Sequence, residues 1–143
     1  MIVKTILSGK GGNVVTIEPT ANVADAAKML AEKHIGALVV TGAEGRLVGI
    51  ISERDIVRAL ANRGNAALKL PLTEVMTRKV VTCSEDETLS VIMERMTQGK
   101  FRHVPVLDGD RLVGIISIGD VVKWRLEELQ LEQNALRDYI ATA

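Results

Sequence analysis

The sequence predicts an α/β fold of the α+β kind. Two β-α-β-β-α units pack sheet-to-sheet about a pseudo-two-fold axis, and a long helix closes the chain. Three observations predict this. The stretch Arg46–Ser52, RLVGIIS, recurs unchanged at Arg111–Ser117, 65 residues further on. Around each copy, short β-branched runs alternate with apolar residues at helical spacing. The chain has 143 residues, 47% apolar but only 2% aromatic, so its core is built from Val, Ile, Leu, Ala and Met.

The repeat reaches well beyond the heptapeptide, and a repeat decides the architecture before any motif does. Asp55 and Asp120 keep the same offset, as do Val57 and Val122. Upstream, Val14-Val15-Thr16 matches Val80-Val81-Thr82 at an offset of 66. Val23, Ala26, Ala27 and Leu30 fall on Leu89, Ile92, Met93 and Met96 at that offset. One residue fewer in the turn at Asp110 than at Glu44-Gly45 accounts for the change.

Each unit reads alike. A short extended run comes first, Val14–Ile17 or Val80–Cys83. Asn22 and Thr88 then stand where an N-cap is needed, each offering a side-chain oxygen to orphan amides. The i, i+3, i+4, i+7 spacing that follows marks an amphipathic helix. Ala37–Val40 and Val104–Leu107 are β-branched strands. Polar, Gly-containing turns follow at 41–45 and 108–110. Leu47–Ile51 and Leu112–Ile116 are apolar on both faces, as buried strands are. A second helix opens at Ser52 or Ser117. Thr73–Met76 is similar to Lys4–Leu7, so each unit opens with a short helical turn. Gly64 and Pro71 bracket a linker. The organisation is therefore 1–63, first unit; 64–71, linker; 72–123, second unit; 124–143, C-terminal helix. A unit of roughly 60 residues is marginal alone, which places any functional cleft at the seam between the two.

In the C-terminal helix, Val122, Leu126, Leu129, Gln133, Leu136 and Ile140 step by four and three, an a/d seam with one polar member. It packs either on its own domain or on a second copy in a homodimer; its run past the second repeat favours the second copy.

Composition excludes several functions. Lys plus Arg number 18 and Asp plus Glu 18, whereas a general nucleic-acid binder needs a basic surplus. Phe101, Trp124 and Tyr139 are too few for a stacking platform. No apolar run approaches the ~20 residues of a membrane helix, and MIVKTILSGKGG lacks a signal-peptide core. With a single cysteine, Cys83, there is no internal disulfide. A cytoplasmic protein without nucleic-acid or membrane partners is expected.

Two segments, Gly49-Ile50-Ile51-Ser52-Glu53-Arg54-Asp55 and Gly114-Ile115-Ile116-Ser117-Ile118-Gly119-Asp120, fit the pattern Gly-h-h-Ser/Thr-x-x-Asp, with h apolar. With Arg102-His103-Val104-Pro105-Val106 as a second-strand signature, the chain resembles a stand-alone tandem pair of cystathionine-β-synthase (CBS) domains, a Bateman module. The resemblance covers nearly the whole chain. It implies a regulatory module that takes adenosine nucleotides (AMP, ADP or ATP, or NAD(H)) in clefts between the units and acts on an unknown effector protein in trans. It implies that Asp55 and Asp120 bond ribose hydroxyls and that Ser52 and Ser117 reach ribose or phosphate. The nucleotide would be a regulatory ligand, with no catalytic cofactor.

The residues themselves carry two readings. Ser-x-x-Asp at a helix start is close to a capping box, which alone would make a structural or interaction protein with empty clefts. The same helix start offers free amides to a phosphate, and a carboxylate accepts two hydrogen bonds from vicinal hydroxyls. Arg54, a cation in the first turn, opposes the helix dipole. It is either solvated or a phosphate partner. Lys100, Arg102 and His103 are either an exposed loop or a phosphate clamp. The first unit has His34, Ile35, Gly36 and Ala37 there and lacks the Arg-His pair and Pro105, so the two clefts should differ. Adenine would sit among Ile17, Ile35, Ala37 and Ile51, or among Cys83, Phe101, Val104 and Ile116, its edge read by backbone near Thr16 and Thr82. Each of these also reads as plain core.

Ser8-Gly9-Lys10-Gly11-Gly12 lacks phosphate-loop spacing and reads as a flexible loop whose Lys10 could still touch an anion. No Cys or His stands at metal spacing from His34 or His103. Cys83 reads as a small buried hydrophobe. No base, nucleophile or metal set suggests an enzyme.

Overall fold

The structure, a computed structural model, describes residues 1–142. Its elements are α1 (Val3–Lys10), β1 (Thr16–Ile17), α2 (Val23–Lys33), β2 (Ala37–Thr41), β3 (Leu47–Ser52), α3 (Glu53–Arg63), β4 (Cys83–Ser84), α4 (Leu89–Gly99), β5 (His103–Asp108), β6 (Arg111–Ser117) and α5 (Ile118–Thr142). Residue 143, the last of the expected C-terminal helix, lies outside the described residues.

Two three-stranded sheets repeat one topology, β1-β2-β3 and β4-β5-β6. In each, the first strand pairs parallel and the third antiparallel to the middle one. Val40 faces Gly49 as Val106 faces Gly114. The expected caps form. Asn22 accepts from the Asp25 amide and Asp25 returns the bond; Thr88 accepts from the Val91 amide. The first strands are shorter than the expected Val14–Ile17 and Val80–Cys83. They pair only opposite Val39–Val40 and Val106–Leu107, with the Val15 carbonyl still accepting from the Val39 amide at 3.3 Å.

Strand alternation explains the layers. Leu38, Val40 and Ile51 turn to α2 and α3 in one core, and Val104, Val106 and Ile116 join α4 in the other. Val39 and Pro105, on the opposite faces, are also buried yet belong to neither core. Burial on the face away from each core fits the expected sheet-to-sheet packing.

The short segments before each unit do not sit where chain order suggests. Val3, Ile6 and Leu7 of α1 fill the core of the second unit, while Leu72 and Met76 fill that of the first. The backbone follows. The Val3 amide donates to Glu87, Leu72 to Ala21, and Ile50 and Thr77 exchange two bonds. Both units offer the same groove beside the glycine of their third strand, Gly49 or Gly114, and each is filled by the other's arm.

Three further differences concern chain order. The expected linker, 64–71, contains a 3₁₀ helix, Gly64–Lys69, with Ala67 buried. Ser8–Lys10, expected in a flexible loop, is the last turn of α1. The boundary placed after residue 123 falls inside α5, one continuous helix. α5 buries Val121 and half-buries Trp124, Arg125 and Glu128 against the domain. The seam residues Val122, Leu126, Leu129, Gln133, Leu136 and Ile140 all face outward, so the own-domain alternative for that seam does not hold. No helix among the described residues is long and apolar enough to cross a membrane.

Candidate functional site: a basic cavity at the seam

The two Ser-x-x-Asp segments form matching capping boxes at the starts of α3 and α5. Asp55 Oδ2 accepts from the Ser52 amide at 2.9 Å and its hydroxyl at 3.0 Å, and Ser52 Oγ accepts from the Asp55 amide at 3.3 Å. Ser117 and Asp120 repeat this at 2.8, 3.0 and 3.2 Å. The capping reading is thus realised at both sites.

A cavity of about 900 Å³ opens between the units beside these caps. It gathers Ile35, Gly36, Ala37, Ser52, Arg54 and Asp55 from the first unit. Lys100, Phe101, Arg102, His103 and Ser117 join them from the second. Lys10, Arg54, Arg58, Lys79, Lys100 and Arg102 line it against the carboxylates of Glu53 and Asp55. A chain of zero net charge therefore concentrates cations at its seam, and a concave, low-dielectric wall strengthens their field.

The two halves differ in detail. Asp55 is the buried polar residue of the described chain, and its Oδ1 accepts from the Thr77 hydroxyl at 3.3 Å. Asp120 is instead paired with Lys10, whose Nζ lies 2.6 Å from Oδ2 and 2.8 Å from the Ile115 carbonyl. Burial pushes the Asp120 carboxyl up. The Lys10 ammonium and the Ser117 amide and hydroxyl outweigh it and hold the group below its ordinary value. Arg54 donates through Nη1 to the Lys100 carbonyl at 2.7 Å, across the seam. Its awkward place at the start of α3 is thereby matched to the negative end of α4, which Lys100 caps in the left-handed conformation. His103 sits at the same seam. Burial lowers its pKa first and the Arg102 charge next, with Glu53 and Asp120 pulling the other way. Gly36 makes room for this contact: a Cβ there would lie 2.9 Å from Glu53 Oε1 and 3.2 Å from His103 Cε1.

Other expected site residues lie elsewhere. Ile17, Ile51, Cys83, Val104 and Ile116 face their own helices in the two cores, and Pro105 is buried in its strand, so none lines the cavity. Alternating strands present two apolar faces, and those in the cores stand on the one turned to the helices. Thr16 lines a second, shallower cavity near the hairpin turns. The Thr82 carbonyl accepts from Arg95 at 3.3 Å instead of reading a base edge. Asp120 is shielded by Lys10. Of the expected adenine contacts, Ile35, Ala37 and Phe101 do line the cavity, and Val14, Val15, Val80 and Val81, expected as strand, complete its apolar wall. The signal of these valines was present: the same Val-Val pair stands before both first strands. Thr77, Lys79 and Arg58 carried no such signal.

The CBS domain family matches residues 5–62 and 72–127. A solved CBS-domain protein from Agrobacterium tumefaciens is 49% identical and superposes with a TM-score of 0.85, over 87% of this chain and 99% of that one. The CBS domain pair of protein MJ0100, solved with 5-methylthioadenosine and S-adenosyl-L-methionine, is 32% identical with a TM-score of 0.80, over 90% and 98%. A CBS domain protein from Pyrobaculum aerophilum, solved with AMP, is 30% identical with a TM-score of 0.75, over 84% and 89%. The chain spans 68%, 58% and 43% of three curated relatives it matches. The duplicated motif, the paired sheets and these matches together make the chain a member of the CBS domain family, carrying two CBS domains in tandem.

Proposed function

We propose that the chain is a regulatory module that binds an adenosine nucleotide in the seam cavity and passes its occupancy to a partner protein in trans, as a cytoplasmic homodimer. The observation that carries this is the cavity lining: six cationic side chains against two carboxylates, beside a Ser/Asp pair at a helix start and a wall of four valines. Phosphate suits the guanidinium forks of Arg54 and Arg102. Vicinal hydroxyls suit Asp55. An adenine slotted between valines needs no aromatic partner. The relatives solved with AMP and with S-adenosyl-L-methionine support an adenosine ligand. The cationic lining favours a phosphate ester over a sulfonium. A bound ligand that touches both units changes their relative packing by its differential affinity for the two arrangements, and the partner reads that shape. The exposed seam of α5 suits the second copy.

Isothermal titration with AMP, ATP and NADH tests the reading. Binding that Asp55→Ala weakens supports it, and no heat with any of the three overturns it. A second reading rests on the completed capping boxes: a structural or interaction protein whose clefts stay empty. There, Asp55→Ala and Asp120→Ala each cost about 1 kcal/mol of stability, and no nucleotide raises the melting temperature.

A further inference from the structure

We propose that the Lys10 side chain is a built-in occupant of the second Ser/Asp site, so that the cavity takes one nucleoside, at Ser52 and Asp55. This rests on the nucleotide reading above. The two sites start alike, with the same cap on the same helix end. They differ in what faces the carboxylate. At the first, the outer oxygen of Asp55 accepts from the neutral Thr77 hydroxyl at 3.3 Å, its one cationic neighbour, the exposed Arg58, stands back at 4.0 Å, and Asp55 itself lines the cavity. A ribose hydroxyl can replace Thr77 there and leave the long Arg58 pairing in place. At the second, Lys10 lines the cavity and Asp120 does not. The ammonium stands between carboxylate and cavity, bonded at 2.6 Å to Asp120 and at 2.8 Å to the Ile115 carbonyl. A charge-assisted bond of this kind is roughly twice as strong as a neutral one, so a hydroxyl arriving there displaces a better partner than itself.

The lysine is held in place from behind. Ile6 and Leu7 anchor α1 in the second core. Gly9 lies so close to the Trp124 ring that a Cβ there would come within 2.6 Å of it. The Gly11 amide donates to Leu7 at 2.8 Å, closing the helix directly after Lys10. The counterpart in the first unit, Lys79, stands three residues after Met76 as Lys10 stands after Leu7 and also lines the cavity, but the arm there is a single 3₁₀ turn, Leu72–Glu74, and its Thr77 takes the place beside Asp55. α1 instead runs on as a helix through Lys10, which carries that ammonium onto Asp120.

AMP titrated into the full chain by calorimetry tests this. Wild type is expected to bind one AMP per chain, and Asp55→Asn, which keeps a capping oxygen, to lose it. Lys10→Met is expected to bind a second AMP per chain, with unchanged Trp124 emission showing that α1 still sits on α5. Two AMP per wild-type chain overturn the inference and leave the nucleotide reading standing. So does a Lys10→Met chain that still takes one, or a wild-type site that survives Asp55→Asn and vanishes in Asp120→Asn. Silence of both wild type and Lys10→Met overturns the nucleotide reading itself and the inference with it.

Discussion

Leu7, on the first helix of the chain, packs directly on Gly114 of the last strand: its Cδ2 stands 2.5 Å from where a Cβ at 114 would lie. The first unit repeats the contact with Met76 on Gly49, at 2.7 Å to Sδ, and there the Thr77 carbonyl also lies within 2.9 Å. Each glycine thus receives the arm of the other unit, and the exchange ties two marginal halves into one body.

Alanine at either glycine therefore overpacks a groove, a change that costs about 1–3 kcal/mol. Gly49→Ala is expected to cost more than Gly114→Ala. At 114 the obstacle is the end of a leucine side chain, which can turn. At 49 it includes a carbonyl held in a two-bond bridge with Ile50. Urea unfolding of the two variants measures this, and an equal or reversed order contradicts it.

The exchange also fixes which half suffers when α1 is weakened. Ile6 is fully buried in the second unit's core, so Ile6→Ala is expected to cost about 2–5 kcal/mol. Native-state hydrogen exchange should show faster opening of α4 and β6, with β2 and β3 less affected. Loss of protection centred on β2 and β3 would place α1 against its own unit instead.

These contacts mark where the sequence stopped being legible. Period and capping announced every strand and helix of the repeat, because those signals are local: Asn22, Thr88, Ser52 and Ser117 each cap within three residues. The swapped arms were hidden because Lys4–Leu7 and Thr73–Met76 are alike, and two like arms fit two like grooves in either pairing. Half of the candidate site was readable, since Ser52, Asp55, Arg102 and His103 belong to the motif. Lys10 was legible as a cation near an anion but not as the partner of Asp120, which lies 110 residues away and is brought to it only by the swap. The apolar side of the cavity was half legible, in Ile35, Ala37 and Phe101 but not in the valine pairs, because an alternating strand has two apolar faces and nothing local says which one a cavity uses.

His103 gives the fold a dependence on mild acid. Burial, then Arg102, hold its pKa below the ordinary 6.5. Between that lowered value and 6.5 the unfolded chain binds more protons than the folded one, so stability rises with pH across this window and falls as pH drops through it. Asp120 and Glu87 are depressed from 3.8 and 4.5, so their contributions are lost only at lower pH. Urea midpoints taken from about pH 7.5 down to about pH 5.5 should fall for wild type and fall less for His103→Gln. Equal slopes for the two would exclude His103 as the source.

The outer face of α5 predicts the assembly. Val121, Trp124, Arg125 and Glu128 turn to the domain, and the a/d seam lies beside them with Leu126 61% and Leu136 60% exposed. A second copy of the helix would cover these leucines, and Gln133 at one seam position would set its register at a cost in stability, as polar a/d residues do. Wild type is therefore expected to run as a dimer in light scattering coupled to size exclusion. Leu126→Glu with Leu136→Glu should run as a monomer whose circular dichroism keeps both β-α-β-β-α units, because neither leucine touches the cores. A wild-type chain that stays monomeric at about ten times the concentration at which a micromolar dimer forms would leave the seam without its second copy.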